Sequence, residues 1–204
     1  MRNMRSTISA FLAIAGGLLC ANCAVTKPVH YYTIQPASPP VNPGAPMPGG
    51  LILLVGDIST PELLQDARIR YRVGPNETGA YEYHRWAERP GLMVRDSLER
   101  ALRASGKYQR VLDAGSSVTG DYLVRGKLSE FGEVDGPSIQ TRISLQVELV
   151  DKKANRSVWD SLVEREEPVS DKNVADVVQS LDRNLQGVVN ETTAEIDKFL
   201  SARH

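Results

Sequence analysis

Cysteine is nearly missing from this 204-residue chain: Cys20 and Cys23 stand at the end of an apolar leader, and the 181 residues that follow contain none. No disulfide can staple those residues, so a domain built from them is held by its hydrophobic core alone. Histidine is equally scarce. His30, His84 and His204 show no metal-ligand spacing. Charge of one sign is lacking too. Lys and Arg number 24 against 25 Asp and Glu, and removing the first 22 residues takes away two bases and no acid, which leaves −3. The two signs are interspersed, which argues against a nucleic-acid binder, because such proteins cluster a basic excess on one face. Gly-x-Ser-x-Gly, a phosphate-binding loop and His-Glu-x-x-His are all absent, and with them the recurring devices for acyl, phosphoryl and metal-assisted chemistry. The adjacent acids Glu166 and Glu167 would point to opposite faces of an extended chain and read as solvated side chains. No catalytic residue, cofactor or metal site is expected.

An apolar run long enough to span a membrane, roughly 18 residues, is also missing. Ile8 to Leu19 is shorter, interrupted by Ser9 and broken by Gly16-Gly17. With Arg2 and Arg5 ahead of it, this segment reads as a cleaved signal peptide over residues 1–22. The cysteine pair then has two readings: a lipid acceptor at the processing site, or a Cys-x-x-Cys redox or metal motif. The second expects a helix start inside a folded domain, or two further ligands, whereas this pair abuts a hydrophobic leader. Cys23 is therefore read as the lipidated residue, with residues 23–29 as tether and residues 30–204 as one domain.

Within that domain the patterning alternates between periods of two and of 3.6. His30 to Gln35 is β-prone. Residues 36–50, rich in Pro and Gly, form a loop. Leu51 to Ile58 is a continuous apolar run suited to a strand buried on both faces, followed by a short helical turn from Thr60 to Ala67. Arg68 to Val73 and Ala80 to Trp86 both alternate around the turn formers of residues 74–79, which predicts a hairpin. Pro90 opens a helix to Ser105 with Val94, Leu98, Ala101 and Leu102 on its buried stripe and Gly106 at its end. Further strands are expected over 108–112, 121–131, 139–150 and 158–166, the last two as a second hairpin. A final helix, capped by Ser170 or Asp171, carries Val174, Val177, Val178, Leu181, Leu185, Val188, Val189, Ile196 and Phe199 at helical spacing. Gly187 in its middle marks either a close contact or a local weakness. The expected fold class is α+β: a single domain with a mainly antiparallel sheet covered by two helices.

Two surface features stand out. Arg68, Arg70 and Arg72 share one strand face, which reads either as an anion or lipid-headgroup site or, more simply, as an exposed face whose arginines pair with nearby acids. Alternation puts Tyr81, Tyr83 and Arg85 on one face of their strand and Glu82, His84 and Trp86 on the other. Trp86 is a candidate partner-surface residue, because tryptophan is enriched at interface hot spots; the competing reading is a core anchor under the first helix. If Trp86 is buried, Tyr81, Tyr83 and Arg85 become the candidate surface.

Cys23, then Tyr31-Tyr32-Thr33-Ile34, then Gly74-Pro75-Asn76-Glu77 leading to Tyr81-Glu82-Tyr83-His84-Arg85-Trp86-Ala87-Glu88 resembles, in order and spacing, the PqiC-like ABC-transport auxiliary lipoproteins. The resemblance spans nearly all of the chain after Cys23. Asn22 stands where that pattern has a small residue; the distance from Cys23 to Tyr31-Tyr32 matches. The resemblance implies a non-enzymatic accessory to an ABC permease and an MCE-domain protein that move lipid between membranes. It also implies an anchor in the outer membrane facing the periplasm, since Ala24 rather than aspartate follows Cys23, with the inner membrane and the free periplasm as alternatives. A homo-oligomeric ring is a further expectation, because a symmetric partner is best met by a symmetric assembly. The rival functional readings are a free periplasmic lipid carrier and a periplasmic hydrolase.

Overall fold

The computed structural model describes residues 27–35, 47 and 49–203. The signal-peptide reading, Cys23 and most of the Pro/Gly-rich loop lie outside the described residues. Among the described residues, eight strands and two helices follow in the order β1 (His30–Tyr32), β2 (Ile52–Ser59), β3 (Arg68–Val73), β4 (Glu77–Trp86), α1 (Pro90–Ala104), β5 (Arg110–Asp113), β6 (Tyr122–Asp135), β7 (Gln140–Asp151), β8 (Arg156–Pro168) and α2 (Val174–Ser201), with a 3-10 turn at Glu62–Leu64.

β6 is the strand on which the sheet is organised. One of its edges pairs antiparallel with β7 from Tyr122 to Val134, and β7 pairs antiparallel with β8 over its whole length. The other edge is shared. Its first half pairs with β2 up to Lys127, and its last residues, Glu133 to Asp135, pair with β3, both in parallel. β5 extends β2 in parallel, β4 extends β3 antiparallel, and β1 closes the far end in parallel with β4. The long ladders are antiparallel, as expected, and the parallel pairings are short ones that alternation cannot reveal. β6 runs four residues beyond its expected end at Phe131 because β3 supplies a partner there.

Every second residue of β7 from Ile143 to Leu149 is 0% exposed. These residues meet α2, whose Val177, Leu181, Leu185, Val188 and Ile196 are at most 1% exposed. α1 lies on β2 and β5 and touches α2, so both helices cover one face and share one core. Pro90 takes the first turn of α1, and Gly106, with φ +68°, lets the chain leave it in the left-handed region. α2 is capped by Asn173 rather than by Ser170 or Asp171. The Asn173 side chain accepts from the backbone N–H of Asp176, the third helical residue, a reach that the two earlier residues lack.

Gly187 marks a close contact. A Cβ there would lie 2.5 Å from Nε of Arg165, whose guanidinium crosses the helix between Glu167 and Glu191. A polar seam runs beside it. Asn184, 0% exposed, donates from Nδ2 to the carbonyls of Thr141 and Arg165 at 3.1 Å each, and the hydroxyls of Thr141 and Ser180 are 2.8 Å apart.

Candidate functional site

The corner formed by β1, β4 and β3 carries the residues singled out from the sequence, and it breaks their alternation. Arg68 pairs with Arg85 and Arg70 with Ala80, so β4 places Tyr81, Glu82, Tyr83 and His84 opposite Ile69 alone. The extra residues re-aim the side chains, as bulges do. Tyr81 is turned to the side of His84: the two rings are 5.9 Å apart, edge to face. Tyr83 and Arg85 stay on the opposite side. The expected set of Tyr81, Tyr83 and Arg85 is therefore divided between two faces.

The inner face is an aromatic cluster. His30 and His84, directly paired across the strands, stack at 5.2 Å. Tyr32 lies at 5.8 Å from His84 and its hydroxyl is 2.9 Å from Nδ1. Tyr71 meets Tyr81 at 5.2 Å. Tyr81 donates its phenolic proton to Oε2 of Glu133 at 2.6 Å. Glu133 is 5% exposed, and burial raises its pKa above the ordinary carboxylate range, with Asp135 adding to the effect and the Tyr81 and Lys172 contacts opposing it. Burial and then the Glu133 hydrogen bond push the Tyr81 phenol well above its ordinary value, so it remains a donor. Burial, followed by the neighbouring His30, holds His84 below the usual imidazole value. The Tyr81 to Glu133 bond ties β4 to β6 and leaves the carboxylate already engaged.

Trp86 takes the core position. It is 1% exposed and packs edge to face on Phe131 of β6 at 5.5 Å, while its backbone N–H donates to the Ala67 carbonyl at 2.6 Å. Its side chain belongs with the inner face, leaving none of it for a partner to reach.

The outer face is open. Tyr31 pairs with Arg85, which in turn pairs with Arg68, so these three stand in a row across three strands. Tyr31 is 67% and Val29 40% exposed. Lys27 lies over the Tyr83 ring at 5.4 Å. The three arginines of β3 are held by acids: Arg68 and Arg70 by Asp66 at 2.5 and 3.1 Å, and Arg72 by Glu130 at 2.9 Å. Glu130 also takes Arg142 at 2.7 Å. The paired-face reading therefore describes them. Between β2 and β3, where β6 changes partner, lies a shallow groove of about 250 Å³ lined by Leu63, Arg70, Arg72, Glu130 and Arg142 among others.

Sequence reasoning missed Glu133 and Asn184, polar residues inside apolar patterns. A buried polar group must find partners, and those partners lie on other elements. Among the described residues no three His, Cys, Asp or Glu side chains gather as metal ligands, and no helix is long and apolar enough to cross a membrane.

Similar folds are known. The crystal structure of protein XCC0632 from Xanthomonas campestris superposes with a TM-score of 0.74 at 24% identity, covering 83% of this chain and 99% of that one. An uncharacterized protein gives 0.66 at 15% identity over 83% and 99%, and protein CT253 from Chlamydia trachomatis 0.50 at 14% over 76% and 99%. These likenesses concern the fold alone. No curated protein sequence matches the chain. The profile of one family matches residues 32–192, from the last residue of β1 into α2, and on that match the chain belongs to the family described as the ABC-type transport auxiliary lipoprotein component.

Proposed function

We propose that this chain is lipidated on Cys23, is held at the outer membrane facing the periplasm, and serves an ABC permease and an MCE-domain protein as a docking component in lipid transfer between membranes. The family supports an auxiliary role in transport. One observation carries the choice of docking over carrying: the apolar surface is spent internally. Leu181, Leu185, Val188 and Ile196 of α2 and Ile143, Leu145, Val147 and Leu149 of β7 are at most 1% exposed against one another. A carrier needs inward apolar surface left over to line a lipid cavity, typically some 300–1,000 Å³. A ring of copies would suit a symmetric partner. The lipid anchor is positional: acyl chains stabilise membrane attachment by about 0.8 kcal/mol per buried methylene.

Intact-mass measurement of the detergent-extracted protein, wild type and Cys23→Ala, joined to affinity capture of co-purifying components, tests the proposal. A diacylglyceryl mass present only in the wild type, together with an MCE-domain partner, is the expected result. A cleaved chain without lipid, captured alone or with bound phospholipid, would replace it with the free carrier.

A further inference from the structure

The strand that leads to Cys23 carries an unusual surface. Among the described residues β1, three residues long, is the outermost strand at its end of the sheet, a place where proteins ordinarily put charge to discourage pairing. Here the edge shows Tyr31, 67% exposed, with Val29, 40% exposed, two residues before it. Tyr83 and Arg85 continue that face on β4, and Lys27 stands over Tyr83. Two tyrosines with a valine among them, bordered by long cationic side chains, is the composition of residues that sit at the boundary between headgroups and acyl chains.

The tether decides what can reach this face. Only six residues, Ala24 to Val29, separate Cys23 from β1, and a fully extended chain spans at most about 3.6 Å per residue, so β1 begins within about 25 Å of the anchor. The 28-residue helix α2 is itself roughly 42 Å long at 1.5 Å per residue. A tether shorter than the body it holds cannot present every side to the membrane equally.

We infer that the outer face of the β1–β4 corner, Val29, Tyr31, Tyr83 and Arg85 with Lys27, rests in the interfacial layer of the membrane that holds the lipid anchor. The inference depends on acylation of Cys23 as proposed above. The charges nearby nearly cancel: Lys27, Arg68 and Arg85 face Asp66, which pairs with Arg68, and Glu82, which meets the Tyr83 hydroxyl. Contact is therefore made by the tyrosines and Val29 rather than by attraction to anionic lipid, and it persists at high salt, where exposed charges are screened.

Tyr31→Cys in the full lipidated chain supplies the only free thiol once the leader is removed and Cys23 is acylated. Labelled with an environment-sensitive fluorophore and reconstituted into phosphatidylethanolamine/phosphatidylglycerol vesicles, position 31 should show blue-shifted emission and several-fold stronger quenching by interfacial spin-labelled lipid than Leu162→Cys. Leu162 is 59% exposed on β8, at the far end of the sheet, and serves as the water-facing reference. Val29→Cys repeats the measurement if Tyr31→Cys fails to fold. Equal, water-like emission at both positions in protein of confirmed diacylglyceryl mass would overturn the inference while leaving the anchor intact. Protection of position 31 that persists in unacylated Cys23→Ser protein without vesicles would overturn it as well, by assigning the face to a second copy of the chain. A mass without lipid would remove the proposed anchor, and the inference with it.

Discussion

Along β7, Ile143, Leu145, Val147 and Leu149 all turn to α2, and Val163 and Trp159 of β8 stand beside Leu145 and Leu149 on that same face. Along β4, Tyr81 and Tyr83 are also two residues apart, yet they lie on opposite faces. The difference comes from the neighbours. β7 is paired along its length on each side, and the register shifts of its two ladders place the extra residues in β6 and β8, so its own side chains keep their period of two. β4 lies against β3, which must also reach the tail of β6, and the misfit is absorbed by a bulge. Alternation is thus dependable where a strand keeps its own residues in one-to-one pairing and fails where extra residues are inserted in it.

Six substitutions sharpen or break this contrast. The largest effect is expected at the corner's inner face: Trp86→Ala should cost about 3–5 kcal/mol, while Arg85→Ala, one residue away on the outer face, should stay within about 0.5 kcal/mol. Denaturant titration of both variants measures this, and similar losses at the two positions would deny that the corner has an inside and an outside. In the regular half, Asn184→Ala removes a buried donor from two carbonyls and should lose about 1–3 kcal/mol. A neutral result would mean that apolar packing alone seats α2.

Acid tests the inner face again. Folding lowers the His84 pKa, so the stability it contributes is complete above its unfolded value, about 6.5, and is lost as pH falls through the lower folded value. Glu133 works the other way. Its folded pKa is raised, so the folded state takes up the proton first and acidification stabilises it as pH falls through that raised value toward the unfolded one, near 4.5. Stability measured between pH 7 and 5 should fall less steeply in His84→Gln than in the wild type and more steeply in Glu133→Gln. Parallel curves for all three proteins would remove both groups from the account. The smallest effect is expected at Gly187→Ala, where a gain in helix propensity of about 1 kcal/mol is offset by displacing Arg165. A change beyond about 1 kcal/mol in either direction, read by thermal melting, would mean that this guanidinium is held more or less firmly than its ion pairs imply.

The two helices, both hairpins and the buried stripe of β7 were legible because each is local: a periodicity, a cap or a turn acts within a few residues of itself. The candidate surface was only half legible. Tyr83 and Arg85 are where alternation puts them with respect to Trp86, but Tyr81 is not, because its direction is set by the register between β3 and β4. Glu133 and Asn184 were invisible for a related reason, since nothing near them in the chain tells which distant groups will satisfy them.

By itself the sequence determined that the chain after Cys23 folds without disulfides, that two amphipathic helices cover a sheet, and that the corner residues follow a family pattern. Local propensity and apolar periodicity suffice for those. Only the tertiary structure decided that β6 divides one edge between β2 and β3, that Trp86 lies inside while Tyr31 and Arg85 lie outside, and that the three arginines of β3 are held by Asp66 and Glu130. These depend on register and parallel pairing between segments far apart in the chain, and such pairings are chosen by the closure of the whole core.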